Sequence, residues 1–198
     1  MNGSASTSPN EAHPGAVRAR DATAEGVSRK RLATLTRGGA FERVGRGLYV
    51  PTAAKITEHH SLVEAAARVP HGVVCLLSAL RFHGIGTQNP HEVWLAIDVK
   101  AWKPVADSPP LRIVRFSGVA LTYGVEVHKL EGVDVRITSR EKTVADCFKY
   151  RNKIGLDVGL EALREYLRSR KRSIDHLTKA AEACRVARVM RPYLEALA

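Results

Sequence analysis

Long apolar runs are what this chain of 198 residues most plainly lacks. No stretch approaches the roughly 18 residues that a membrane-spanning helix needs. The polar opening has no apolar core of the kind a secretory leader carries, so a cytoplasmic protein is expected. Cysteine is scarce and scattered, at Cys75, Cys147 and Cys184. An odd set of that kind is no disulfide framework; it reads as small buried hydrophobes in a reducing compartment. There is no zinc-spaced Cys/His cluster, no Gly-rich phosphate loop and no Gly-x-Ser-x-Gly elbow. No metal and no cofactor is implied, and no internal repeat is visible.

Cation is what the chain has in excess: 31 Lys and Arg stand against 20 Asp and Glu, a formal net charge of +11. Such an imbalance in a soluble-type composition points to a polyanionic partner, most simply nucleic acid. Membrane attachment is not expected, because no basic amphipathic segment rich in Trp or Phe accompanies the charge.

The run Val27 to Pro51 gives that partner a shape. Ser28 stands where an N-cap belongs, and Leu32 and Leu35, three apart, share one face of a short basic helix. Gly38 and Gly39 end it. Phe41-Glu42-Arg43-Val44, Gly45-Arg46-Gly47 and Leu48-Tyr49-Val50 then read as strand, tight turn and strand, closed by Pro51. A basic helix followed by a two-stranded wing is the DNA-contacting half of a winged helix-turn-helix. At about 100° per residue, Lys30, Ala33, Thr34 and Arg37 lie opposite the leucines, placed for base edges. Arg29 and Arg31 flank them, and Arg43 and Arg46 lie in the wing, placed for phosphates or the minor groove. A solvated basic helix beside a hairpin is the plainer alternative; the cap, the double glycine and the Arg-Gly hairpin together argue against it.

The remaining chain reads as α+β. Residues 1–14, rich in Ser, Ala and Asn with Pro9 and Pro14, are expected to be disordered; 15–53 form the winged helix-turn-helix; 54–198 form a C-terminal α+β domain. In that domain Ser61-Leu62-Val63-Glu64 reads as a capping box opening a helix to about Arg68, and a short helix is expected over Ser78 to His83. Strands are expected at Glu92 to Val99, Leu111 to Phe116, Val125 to Leu130 and Val133 to Ile137, the last two turning at Glu131-Gly132. Thr138-Ser139-Arg140-Glu141 reads as a second capping box. Helices follow to the end, over Leu156 to Arg170, after Ser173, and over Val186 to Leu197 with Pro192 inside.

Ser78, His83 and Asp146 supply the residue types of a hydrolytic triad, but those types occur in nearly any chain and a triad is a matter of geometry. The structural reading has Ser78 satisfying a backbone group, His83 bonding a carbonyl near Gly84, and Asp146 anchoring Arg140 or Arg151. His59-His60 lacks the partners of a metal site. Glu92, Asp98 and Lys100 have a faint likeness to a metal-dependent nuclease strand. A second basic cluster runs through Arg164, Arg168, Arg170, Lys171 and Arg172. Arg164, Arg168 and Lys171 fall on one surface at helical spacing, either a solvated face or secondary phosphate contacts. Arg185, Arg188 and Arg191 make a further stripe with the same two readings.

Several motifs, in order, resemble one family. They are Ser28-Arg29, Leu32, Leu35 and Gly39; Arg43 through Val50; Leu77-Ser78-Ala79-Leu80 with His83-Gly84-Ile85; and Asn89-Pro90 with Val93-Trp94-Leu95-Ala96-Ile97. Thr138 through Phe148, Leu160-Glu161-Ala162-Leu163 and Met190-Arg191-Pro192-Tyr193-Leu194 complete the set. From about Gly15 onward the chain resembles AbiEi-type antitoxins, transcriptional regulators of bacterial type IV toxin–antitoxin pairs. The resemblance implies binding to inverted repeats at the chain's own promoter, limiting its own expression and that of a nucleotidyltransferase toxin. It also implies a C-terminal domain involved in operator binding and in counteracting the toxin, with or without direct contact. The family usually carries a helix just before a Gly-x-x-Arg-Ala-Arg-Asp-like turn, here Gly15 to Asp21. The residues ahead of it show little apolar periodicity, so a winged helix-turn-helix lacking its first helix is expected. Ala22 stands where relatives often have leucine.

A non-enzymatic DNA-binding repressor is therefore the expectation. Two other classes compete with it. One is a metal-dependent nucleic-acid-processing enzyme with a basic targeting domain, and the other is a protein-interaction module.

Overall fold

The computed structural model describes residues 17–24, 26–45, 47–52, 57–104 and 109–197. The expected disordered N-terminus and Arg46 lie outside them. The chain forms two compact units, residues 1–70 with 128–135, and residues 71–127 with 136–198. The expected α+β class is observed: strands and helices in both units, with the longest helices after residue 139.

In the first unit, strand β1 (Val17–Arg18) leads into helix α1 (Ala19–Ala24), and helix α2 (Arg29–Arg37) comes next. The expectation of a turn over Gly15 to Asp21 is thus corrected, because Ala19 onward is helical. That helix is set by contacts outside itself. The Val27 N–H returns to the Ala22 carbonyl at 2.8 Å, and Gly26 makes the turn at φ 87°. Ala22 is fully buried with Leu32 and Phe41, while Ala19, Val27, Leu35 and Tyr49 pack around them. The small side chain at Ala22 leaves this core compact but modest.

Ser28 caps α2 as expected, its hydroxyl accepting from the Arg31 N–H at 3.2 Å. Gly39, at φ 74°, ends the helix in left-handed backbone, and the Ala40 N–H bonds back to the Leu35 carbonyl at 2.9 Å. Strands β2 (Phe41–Gly45) and β3 (Leu48–Pro51) then form the expected hairpin. Arg43 pairs with Tyr49 and Gly45 with Leu48, with a bulge between Arg43 and Gly45. β1 adds to the other edge of β3, giving the order β1-β3-β2. Thr52 ties the far end of β3 to the end of α2, its hydroxyl donating to the Gly39 carbonyl at 2.6 Å.

Helix α3 (His60–Arg68) opens one residue before the expected capping box, and Ser61 lies inside it. Its start is fixed by Glu131 instead. One carboxylate oxygen accepts the Thr57 N–H and hydroxyl at 2.9 and 2.8 Å, and the other lies 2.8 Å from His60 Nδ1.

The second unit is built on the strands β4 (Val73–Val74), β5 (Val93–Asp98) and β6 (Leu111–Phe116), with helix α4 (Leu76–His83) between the first two. A short helix α5 (Val119–Thr122) precedes strands β7 (Val125–Leu130) and β8 (Val133–Thr138), of which residues 128–135 count with the first unit. The sheet order is β6-β5-β4-β8-β7, so β6 and β7 are its edges. β5 and β6 run parallel in register, Val93 beside Leu111 through Asp98 beside Phe116. Glu131 and Gly132 turn the last hairpin at φ 49° and 81°.

Helices α6 (Arg140–Lys149), α7 (Arg151–Ile154), α8 (Leu156–Arg168), α9 (Ile174–Ala183) and α10 (Ala187–Leu197) complete the chain. α5 and α7 were not expected; each is a single turn, too short to carry a periodic signal. α6 starts one residue later than the expected box. Ser139 caps it, accepting from the Lys142 N–H, while the Thr138 hydroxyl is occupied by that of Thr143 at 2.7 Å. Phe148, Leu163, Tyr166, Leu177 and Met190 fill the core between helices and sheet, together with the three cysteines.

Candidate nucleic-acid interface

α2 turns Leu32 into the core and its opposite side to solvent. Arg29, Lys30, Arg31, Ala33, Thr34 and Arg37 are all exposed. The helix rises about 1.5 Å per residue, so its nine residues make an element about 13 Å long, and its diameter with side chains, about 10–12 Å, fits a DNA major groove about 12 Å wide. The Thr34 hydroxyl donates to the Lys30 carbonyl at 3.0 Å, which fixes its rotamer and leaves its lone pairs outward.

The electrostatics of α2 are unusual for a helix on its own. Its first turn carries three cations and no acid. Unpaired N–H groups and the positive end of the macrodipole already lie there, so each cation is disfavoured by a fraction of a kcal/mol, about 0.3–1. A phosphate at this end would reverse the sign of that term. Arg37 sits in the last turn, where a cation suits the dipole. Arg43 is exposed on β2, beside the bulge that twists the hairpin.

The second basic cluster is only partly as expected. Arg164 and Arg168 are exposed on α8, but the helix ends at Arg168, so Lys171 is in the following turn and does not continue that face. The Ser169 hydroxyl accepts the Lys171 N–H at 3.2 Å, and Arg172 donates to the Leu167 carbonyl at 3.1 Å. The stripe Arg185, Arg188, Arg191 is likewise broken. Arg185 lies between α9 and α10 at φ 59°, and only the other two are on α10.

The residue types of a hydrolytic triad are separate and individually satisfied. The Ser78 hydroxyl accepts the Trp94 N–H at 2.9 Å. His83 Nε2 lies 2.7 Å from the carbonyl of Thr138, not from one near Gly84. Asp146 anchors neither Arg140 nor Arg151. Arg140 donates to the His83 carbonyl and Arg151 to that of Phe148. Asp146 pairs instead with Lys142, one turn earlier, and accepts from the Cys184 thiol at 3.2 Å. The Lys-x-x-x-Asp spacing was the available signal, obscured because both residues are fully buried on the apolar side of α6.

All three cysteines are free and buried. Burial, with Asp146 nearby, pushes the Cys184 thiol up to about 12 and raises those of Cys75 and Cys147 as well. Such thiols are poor nucleophiles. Asp98 accepts the Lys100 N–H, Glu92 faces Arg112 at 3.9 Å, and His60 faces Glu131. Among the described residues no group of three His, Cys, Asp or Glu is placed to hold a metal ion. No helix among them is long and apolar enough to cross a membrane.

Comparison with known proteins adds one family. Residues 10–52 match the family model described as "Transcriptional regulator, AbiEi antitoxin", a segment that contains α1, α2 and the β2–β3 hairpin. No curated protein matches the chain. Among solved structures, the RV2827C protein from Mycobacterium tuberculosis is similar at 14% identity and a TM-score of 0.48, over 92% of this chain and 76% of that one.

Proposed function

We propose that this chain is a DNA-binding transcriptional repressor of the AbiEi antitoxin kind, with residues 15–53 as a winged helix-turn-helix domain and 54–198 as its antitoxin domain. The observation that carries the reading is a coincidence of position. The segment matched by the antitoxin family model contains the helix whose outward face is Arg29, Lys30, Arg31, Thr34 and Arg37. In this reading α1 is the positioning helix, α2 the recognition helix and β2–β3 the wing.

α2 enters the major groove with Lys30, Thr34 and Arg37 at base edges, while Arg29 and Arg31 bind flanking phosphates through the cation-rich first turn. Arg43 and Arg46 follow the backbone or the adjacent minor groove. Arg164 and Arg168, exposed together on α8, add phosphate contacts of lesser weight. The ligand is double-stranded DNA carrying inverted repeats at the chain's own promoter. The regulated neighbour is a nucleotidyltransferase toxin. The protein acts in the cytoplasm by occupancy, and the reading requires no catalytic step, metal or cofactor.

The test is titration onto the chain's own upstream DNA and onto scrambled DNA of equal length, at two salt concentrations. The reading predicts a specific excess of about a thousandfold or more. Equal, steeply salt-dependent binding to both would leave only a basic protein and overturn it.

A further inference from the structure

Trp102 is 93% exposed, the most exposed large apolar side chain among the described residues. It is also held in place. The preceding turn is closed by the Ala101 N–H on the Asp98 carbonyl at 3.0 Å and by the Lys100 N–H on the Asp98 carboxylate at 2.8 Å. From β6, Arg115 donates to the carbonyls of both Asp98 and Ala101. A clamped backbone turn thus presents an indole to water, where burial would have stabilised it.

The turn itself carries the Asp98 carboxylate, engaged by the Lys100 N–H, and cations gather beyond it along β6. Lys103 joins Arg112 and Lys153 around an open cavity of about 660 Å³ at the free edge of β6, floored by Trp94. The Arg112 guanidinium lies 5.6 Å from the centre of the Trp94 ring. Among the described residues, Glu92, 3.9 Å from Arg112, is the one acid lining that cavity. Lys100 adds a cation on the turn itself.

We propose that this turn and the β6 edge form a single-stranded nucleic-acid site, with Trp102 as the base-stacking platform and Lys103, Arg112 and Lys153 as phosphate contacts. An exposed aromatic beside a track of cations is how single strands are held without sequence preference. The geometry selects a single strand over a duplex, because base faces in a duplex are covered by their neighbours and only an unstacked base can lie on an indole. The site belongs to the second compact unit and is independent of α2 and its duplex.

The full chain is titrated with a fluorescent ten-nucleotide oligouridine and, separately, oligothymidine, following anisotropy and intrinsic tryptophan emission. The chain has two tryptophans, and Trp94 floors the same cavity, so the part of the quenching that Trp102→Ala abolishes is what reports on Trp102. Trp102→Ala is expected to weaken single-strand binding about 5- to 150-fold, the range for one stacked base, and to leave promoter-duplex affinity unchanged. Trp102→Phe should recover part of the loss, and Arg112→Ala with Lys153→Ala should lower the salt slope. Trp102 is 93% exposed, so its replacement does not threaten folding. Wild-type single-strand affinity in Trp102→Ala, or unchanged emission at saturation, would overturn the proposal. So would an equal loss on duplex DNA, or binding at this patch by an acidic peptide and not by either oligonucleotide.

Discussion

Replacing Lys142 and Asp146, singly and together, tests how the second unit tolerates a buried ion pair. Both side chains are fully buried, paired through Lys142 Nζ, with that ammonium 4.6 Å from the centre of the Phe116 ring. Lys142→Met keeps the volume and strands a carboxylate whose one remaining side-chain partner is the Cys184 thiol. The expected loss is about 3–5 kcal/mol, the range for an uncompensated buried charge. Asp146→Leu strands an ammonium that keeps its aromatic neighbour, worth about 0.5–2 kcal/mol, so its loss should fall at the lower end of the same range. The double variant removes both desolvation penalties and should lie within about 1 kcal/mol of wild type or above it. Urea unfolding of all four proteins at constant slope reads the cycle. Additive losses in the double variant would refute the reasoning.

The same pair carries a pH signature. Burial pushes the Asp146 carboxyl up, against the opposing pull of Lys142 and the Cys184 thiol. The folded state therefore holds this proton more tightly than the unfolded chain does. The contribution is full below the ordinary carboxylate value and is lost as pH rises through the raised one. The stability difference between double variant and wild type should accordingly shift in favour of the double variant across that window.

Three further outcomes are expected. Burial alone would push the Glu131 carboxyl up, but hydrogen bonds from His60 and from the Thr57 N–H and hydroxyl outweigh it and hold it below its usual value. Its contribution is present above that usual value and lost as pH falls through the depressed one, so acid melting curves should flatten in Glu131→Gln; parallel curves would contradict this. Gly124→Ala places a Cβ 2.9 Å from Lys142 Cβ at φ 59°, whereas Gly39→Ala at φ 74° meets nothing within 4 Å. The first should cost about 2–4 kcal/mol from strain and overlap, the second about 1–2 from strain alone, and equal losses would contradict the packing around α6. Ser28→Ala should cost about 1 kcal/mol and lower promoter affinity through α2, with Ser28→Asp restoring the stability but not the affinity, because its carboxylate repels the phosphate at that end; an unchanged melting curve would refute the cap.

What the sequence revealed and what it hid divide along the range of the forces involved. α2 and the β2–β3 hairpin were legible because their signals are local: a capping serine, two glycines and a short alternation. α1 was missed because its six residues are held by the Val27 N–H, Leu32 and Phe41 and not by its own periodicity. The start of α3 depends on Glu131, which is 71 residues from His60, so no local pattern announces it. The cap of α6 moved to Ser139 because Thr138 spends its hydroxyl on Thr143, a choice visible only once β8 meets the helix. Arg164, Arg168 and Lys171 shared a face only while α8 was assumed to continue past Arg168. The cation face of α2 was legible residue by residue, since exposure there follows from where Leu32 points.

The division of labour on α2 is the central claim, and one comparison tests it most directly. Arg37→Ala and Arg31→Ala are each titrated onto the chain's own upstream DNA and onto scrambled DNA. Arg37→Ala should lose about 1–3 kcal/mol on the upstream DNA and little on the scrambled, while Arg31→Ala should weaken both alike and lower the salt slope by about one. Equal losses on both DNAs for both variants would contradict the account.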